Sequence, residues 1–161
     1  ALFSVAWAGE SESTNRFDTA REYTERWHHQ MQIRTAVGAR GHPELLLAEG
    51  YAAPLLNTSA RVLPHAYRDI VSSIGTAIVF SIYSNDAPRW SLDWTLRRED
   101  DNWHLYLGAA PAPTAHVSAD VDVWWRLLFN ALPAANIPIA FTIDGSDALV
   151  APLWNARSVM V

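Results

Sequence analysis

Between residues 20 and 37 the apolar positions fall at Ala20, Tyr23, Trp27, Met31, Ile33 and Val37. That spacing follows one side of an α-helix and fits no strand. Asn15 or Asp18 is the expected N-cap, and Gly38 supplies the left-handed residue expected just past the helix end. A second helical stretch starts near Pro43, a residue suited to a first helical turn, and carries the run GHPELLLAEGYAAPLLNTSARVL. Gly50 and Pro54 predict a break within it, and Pro64 predicts its end.

From Ile70 the pattern switches to short runs rich in β-branched and aromatic residues. Thr76–Tyr83, Arg89–Leu96 and Asn102–Leu107 read as strands, separated by turn-forming stretches at Ser84–Pro88 and Arg98–Asp101. Ala115–Ala119 adds a fourth strand. Asp120 or Asp122 caps a helix through VWWRLLFNAL, whose apolar residues cover one broad face. Ile137–Ile143 reads as a further strand, and Gly145 turns the chain into a last helix from about Asp147. The expected class is α+β: a helical part over residues 1–70, then a twisted antiparallel sheet with two packed helices over residues 71–161. Two amphipathic helices bury little alone, so the first part reads as the remnant of a larger bundle.

Composition narrows the functions open to such a chain. A net charge of −5 with no basic cluster argues against nucleic acid and against anionic membrane surfaces. No apolar run approaches the roughly 18–20 residues that span a bilayer, so a cytoplasmic location is the default expectation. The absence of cysteine removes disulfides, thiolate ligands and a protein nucleophile of that type. All twelve basic residues are arginine, a usage common in GC-rich bacteria. The eight tryptophans point to aromatic packing and to no ligand in themselves. The chain opens on ALFSVAWAGE without an initiator Met, and a fragment lacking earlier helices is the expectation.

The first helix carries the strongest chemical pattern. Glu25 and His29 stand four residues apart, on one helical face and about 6 Å apart at Cβ. A carboxylate and an imidazole so placed can share one divalent metal, although a catalytic zinc takes three protein ligands. Their face, extended by Gln32 and by Glu22 one turn earlier, lies about 100° or more around the helix from Trp27, Met31 and Arg34. Gln32 or Glu22 would orient the histidine by a hydrogen bond. A solvent-exposed ion pair is the plainer account of the same spacing. His28, three residues from Glu25, competes for the role. Elsewhere His42 reads as solvated, His65 as an interface residue, and His104 and His116 as surface residues on strands. Arg89, Arg97 and Arg98 flank strands, where solvation is the plain account and a bidentate hold on a carboxylate the functional one. Trp124 and Trp125 point about 100° apart, one to the core and one to an interface.

The run EYTERWHHQMQIRTAVG resembles the metal-binding helix of mycothiol-dependent maleylpyruvate isomerases and their DinB-like relatives. Their pattern of Glu, three residues, His, and often Asp three residues on falls here on Glu25, His29 and Gln32. WAGE at residues 7–10 and LPHAYRDI at residues 63–70 extend the resemblance. The region from GTAIVFSIY to DALVAPL is similar to the sterol-carrier-like α+β domain that follows the bundle in many members. The resemblance implies a zinc-type site on Glu25 and His29, completed by a further histidine from a bundle helix with no counterpart in this chain. It also implies mycothiol as thiol cofactor. The metal would lower the thiol pKa, and the thiolate would add to an electron-poor cis double bond, or be transferred, on a small-molecule substrate. The carboxylate of the family pattern is an amide at Gln32.

Two other functions stand beside this one. The sterol-carrier-like part would be a non-catalytic module binding a small apolar ligand, or the helices would form a homodimer through apolar patches left without bundle neighbours.

Overall fold

The computed structural model describes residues 4–86, 88–100 and 102–158. Ala87 and Asp101, in the two expected turns between strands, lie outside the described residues, as do the first three and last three residues.

The first helix, α1, spans Asn15–Ala36. Its N-cap is Thr14, whose hydroxyl accepts from the Phe17 N–H at 3.2 Å, one residue ahead of the expected Asn15. Asp18 sits instead in the first turn, favourable for the helix dipole, and accepts from the Ser13 hydroxyl. Gly38 follows the C-cap Val37 with φ +68°, the left-handed terminator the sequence predicts. Next comes a 3-10 turn over Pro43–Leu47, then α2 over Glu49–Ser59. The break falls at Ala48, whose ψ of 146° is extended. Gly50 and Pro54 both lie inside α2, and the Thr58 hydroxyl bonds the Pro54 carbonyl. Pro64 belongs to α3, Val62–Ala66. It stands in the first turn, where a missing N–H costs nothing, so it helps start this helix and does not end the previous one.

Five strands follow as β1 Ala77–Ser84, β2 Trp90–Glu99, β3 Asn102–Leu107, β4 Ala115–Asp120 and β5 Thr142–Asp144. They are ordered β3-β2-β1-β4-β5. The first three form the expected meander. β4, however, pairs with β1 in parallel, so the sheet is mixed and not antiparallel throughout. The cause is the segment 108–114. It leaves the β3 edge, crosses the face of the sheet, and re-enters beside β1. Its crossing is held by bonds from Gly108 N to Asp93 O, from the Thr95 hydroxyl to Gly108 O, from Ala110 N to the Thr95 hydroxyl, and from Thr114 N to Ala77 O. Asp120 caps α4, Val121–Leu128, accepting from the Asp122 N–H at 2.9 Å. The expected strand Ile137–Ile143 divides into a short helix, α5 over Ile137–Ala140, and the three residues of β5. Pro138 decides this, because it suits a first helical turn and has no N–H for a ladder. The final helix, α6, is Asp147–Val150, continued by a 3-10 turn over Ala151–Asn155.

Strand alternation sends Ile78, Phe80, Ile82, Trp94, Leu96 and Val117 to one face. They form a single buried cluster with Trp27 and Met31 of α1, Leu55 and Leu56 of α2, Leu63 of α3, and Trp124 and Leu127 of α4. A bundle is not shown; the early helices share their core with the sheet. The tryptophans fasten this contact. Indole N–H groups of Trp90, Trp94 and Trp103 on the strands donate to Leu47 O, Asn57 Oδ1 and Ile70 O, all before β1. Trp124 is packed edge-to-face against Phe80, Trp94 and Phe141, with ring centroids 5.2–5.9 Å away. Trp125 is buried as well and stacks edge-on to Trp27 at 5.6 Å, so both members of the pair, one of which was expected at an interface, lie in the core.

Candidate functional site

On α1, Glu25 and His29 share one side of the helix as their spacing dictates. Glu25 is half-buried, while His29, Gln32 and Glu22 are exposed. His29 Nδ1 lies 3.1 Å from Gln32 Oε1, which holds the ring, and among the described residues Nε2 has no hydrogen-bond partner. Glu22 pairs with Arg26 at 3.8 Å, so the orienting contact to His29 comes from Gln32. His28 turns the other way. It is buried against Phe129, with ring centroids 4.9 Å apart, and near Trp125 at 6.3 Å. Burial, and then the neighbouring His29, push its pKa below the ordinary value. Among the described residues no three His, Asp or Glu side chains converge on one point. Glu25 and His29 thus offer two donors, one short of a catalytic zinc set, and no reaction step is derived through a metal here.

A second place gathers more polar chemistry in a shaped space. The N-terminal residues form a small hairpin, with Val5 N donating to Glu10 O at 2.8 Å around a 3-10 turn over Ala6–Ala8. Glu10 binds Arg61 in a bidentate pair, Nε to Oε1 at 2.8 Å, and the Arg61 guanidinium lies 3.8 Å above the Phe17 ring. Gly9 then comes directly against His65. Its φ is +68°, and a Cβ there would lie 2.4 Å from His65 Nδ1, so only glycine permits this approach. The turn Ala6–Ala8, α3 with the residues after it, and the C-terminal stretch Ala151–Arg157 enclose a cleft of about 690 Å³.

Its walls are apolar, from Trp7, Val62, Ala66, Ile70, Ala151 and Pro152. The polar rim is basic: His65, Arg68 and Arg157, against one carboxylate, Asp69. Asp69 is engaged by Arg68 at 3.4 Å. Arg157 donates to Asn130 Oδ1 at 3.0 Å and to Ala156 O at 2.8 Å, and among the described residues no carboxylate lies within ion-pair distance of it. Desolvation by burial lowers its pKa from the ordinary arginine value, though such a group stays cationic. The Trp7 indole N–H is buried, with no acceptor among the described residues. A partly desolvated guanidinium with no carboxylate partner among the described residues, set against apolar walls, is suited to an anion on an apolar body.

Sequence patterning did not point to this cleft as a site. His65 was read as an interface residue, and it does touch Gly9 and line the cleft. Trp7, Arg157 and the 151–155 turn lie in segments without periodicity. The one available signal was that WAGE, LPHAYRDI and the terminal APL of the resemblance are separate in sequence, and they meet here. The opposite face of the sheet holds another missed contact. The Ser81 hydroxyl on β1 lies 2.5 Å from Asp93 Oδ1 on β2 and 2.8 Å from His116 Nε2 on β4. The carboxylate can only accept, so the hydroxyl proton points to Asp93 and His116 donates from Nε2.

No family model matches the chain, and no curated protein does. Neither comparison shows the isomerase family. Solved structures similar to the chain include a sterol carrier protein 2-like 2 from Aedes aegypti, 12% identical with a TM-score of 0.46, over 65% of this chain and 94% of that one. The sterol carrier protein domain 2 of Helicoverpa armigera is 13% identical with a TM-score of 0.43, over 59% and 79%. The UbiJ-SCP2 ubiquinone synthesis protein is 18% identical with a TM-score of 0.37, over 68% and 87%. At these scores the likeness assigns this chain no ligand. Among the described residues no helix is long and apolar enough to cross a membrane.

Proposed function

We propose that the chain is a binding module for a small apolar molecule carrying an anionic end, held in the cleft between Trp7, α3 and the Ala151–Arg157 stretch. The observation that carries this is Arg157, partly desolvated at the cleft with no carboxylate partner among the described residues. In this arrangement the apolar body lies along Val62, Ala66, Ile70 and Pro152, and the anion meets Arg157. No covalent step is required of any residue there.

A charged hydrogen bond of this kind is worth about 1.5–3 kcal/mol, or roughly ten- to a hundredfold in affinity. Calorimetric titration with decanoate, decanol and decylamine tests it. The carboxylate should bind at least tenfold more tightly than the alcohol, and the amine not at all. Arg157→Gln should bring the carboxylate down to the alcohol. Equal affinity for the three in the parent, or an unchanged preference in Arg157→Gln, overturns the proposal.

The metal- and thiol-dependent isomerase or transferase implied by the resemblance is a second reading, at a different place. It is favoured by His29, whose ring Gln32 holds through Nδ1 on the helical face that Glu25 shares. It needs zinc as the metal, mycothiol as the thiol, and a third ligand from outside the described residues.

A further inference from the structure

We infer that β3 is a pairing edge, and that its partner is the β3 strand of a second copy of this chain, joined antiparallel about a two-fold axis through Leu105. The phase of the ladder gives the first step. Gly108 N donates to Asp93 O at 2.8 Å, so the hydrogen-bonded pairs between β2 and β3 are Thr95–Tyr106, Arg97–His104 and Glu99–Asn102. Arg98 agrees, since its N–H and C=O bond Thr76 and Gly75 on the β1 side. The backbone groups of Trp103, Leu105 and Leu107 therefore point out of the sheet. Among the described residues no backbone or side-chain group meets them.

Protein sheets blunt such edges with Lys, Pro, inward charges, bulges or very short strands. The other edge follows that practice: β5 is three residues long and ends on Asp144. β3 does not. It runs six residues, NWHLYL, in unbroken register with β2, with no charged residue and no proline, and Leu107 is 72% exposed.

A two-fold antiparallel pair must put side chains of the same face opposite one another. Centred on Leu105, this places Leu105 opposite itself and Trp103 opposite the partner's Leu107, all three with outward backbone groups. On the other face His104 meets the partner's Tyr106. Apolar side chains thus meet on the core face. Because the strand has no charged residue, two copies of a chain of net charge −5 meet there without like charges opposed. A strand pair this short covers less than the roughly 800 Å² per partner of a standard interface, so the dimer is weak and its population follows concentration.

The absence of cysteine makes the register testable. Opposed Leu105 residues would have Cα atoms about 5.5 Å apart, within disulfide range, whereas two Leu107 residues would be four positions out of step. Mild oxidation of Leu105→Cys should give a disulfide-linked dimer, and Leu107→Cys, though more exposed, should give much less. Sedimentation equilibrium of the parent should show a dimer fraction rising with concentration. Leu107→Lys should lower that fraction at an unchanged thermal midpoint. A parent that is monomeric throughout overturns the inference. So does dimerisation with Leu107→Cys cross-linking at least as well as Leu105→Cys, or capture of an unrelated extended peptide at β3 in preference to self-pairing.

Discussion

The polar face of α1 and the cleft beside α3 make opposite kinds of site. The first is local: Glu25, His29 and Gln32 are related by helix spacing alone, and any helix of this sequence would align them. Its side chains are largely exposed, and its donors stop at two. The second is assembled: Trp7, His65 and Arg157 come from three distant segments and have no relation until the chain folds. Local patterning locates chemistry that water can solvate away, whereas assembly produces desolvated cations and orphan donors, which are what a ligand satisfies.

The largest effect expected on this comparison comes from Trp103. It is buried on β3, packs on Tyr67 at 5.5 Å between ring centroids, and donates to Ile70 O at the cleft wall. Trp103→Ala should cost about 3–5 kcal/mol of stability in denaturant unfolding. Trp103→Phe keeps most of the ring but loses the bond, and should cost about 1–2 kcal/mol while weakening decanoate binding. If Trp103→Phe leaves binding untouched, the cleft does not depend on being tied to the sheet.

Gly9→Val comes next. A β-branched residue at φ +68° is strained by about 1–3 kcal/mol, and its Cβ forces the His65 ring out of its place. The expected result is an opened N-terminal hairpin, a small fall in thermal midpoint, and weaker decanoate binding, with the α1 face unaffected. Retained affinity would remove Trp7 and His65 from the site.

How far each region was legible follows from the same distinction. The helix α1, the meander, β4 and the α4 cap were readable because period and capping are local signals. The parallel β1–β4 pairing was not, since it depends on the crossing segment 108–114 and its bonds to Asp93, Thr95 and Ala77. Ile137–Ile143 misled because β-branched residues outweighed Pro138 in a run too short for periodicity to arbitrate. The stitching of the early helices to the sheet by Trp90, Trp94 and Trp103 was not legible either. An indole partner 33 or more residues away leaves no trace in a hydrophobic pattern.

His28 sharpens the contrast within α1 itself, being adjacent to His29 and yet packed on Phe129 and Trp125. Its pKa is lowered in the folded state, chiefly by burial, so the unfolded chain binds the proton more readily. Stability from this group is complete above the unfolded value near 6.5 and falls as pH drops below it toward the folded value. Thermal midpoints measured from pH 7.5 to 5 should decline more for the parent than for His28→Phe. Parallel profiles would mean that other groups carry the acid sensitivity.

The smallest effects are expected on the patterned face. His29 and Gln32 are solvent-exposed and Glu25 is half-buried, with nothing packed on them that the core requires. Glu25→Ala and His29→Ala should each change stability by no more than about 0.5 kcal/mol and leave decanoate affinity unaltered. Zinc separates the two regions most directly, because two donors on one helix hold the ion weakly while a closed set holds it stoichiometrically. The purified chain should take up zinc only at concentrations far above its own, and either substitution should abolish even that. Stoichiometric zinc in the parent, lost in both variants, would mean that a second copy or the undescribed residues complete the ligand set. The thiol chemistry implied by the resemblance would then have its metal on the α1 face, apart from the cleft and independent of what the cleft binds.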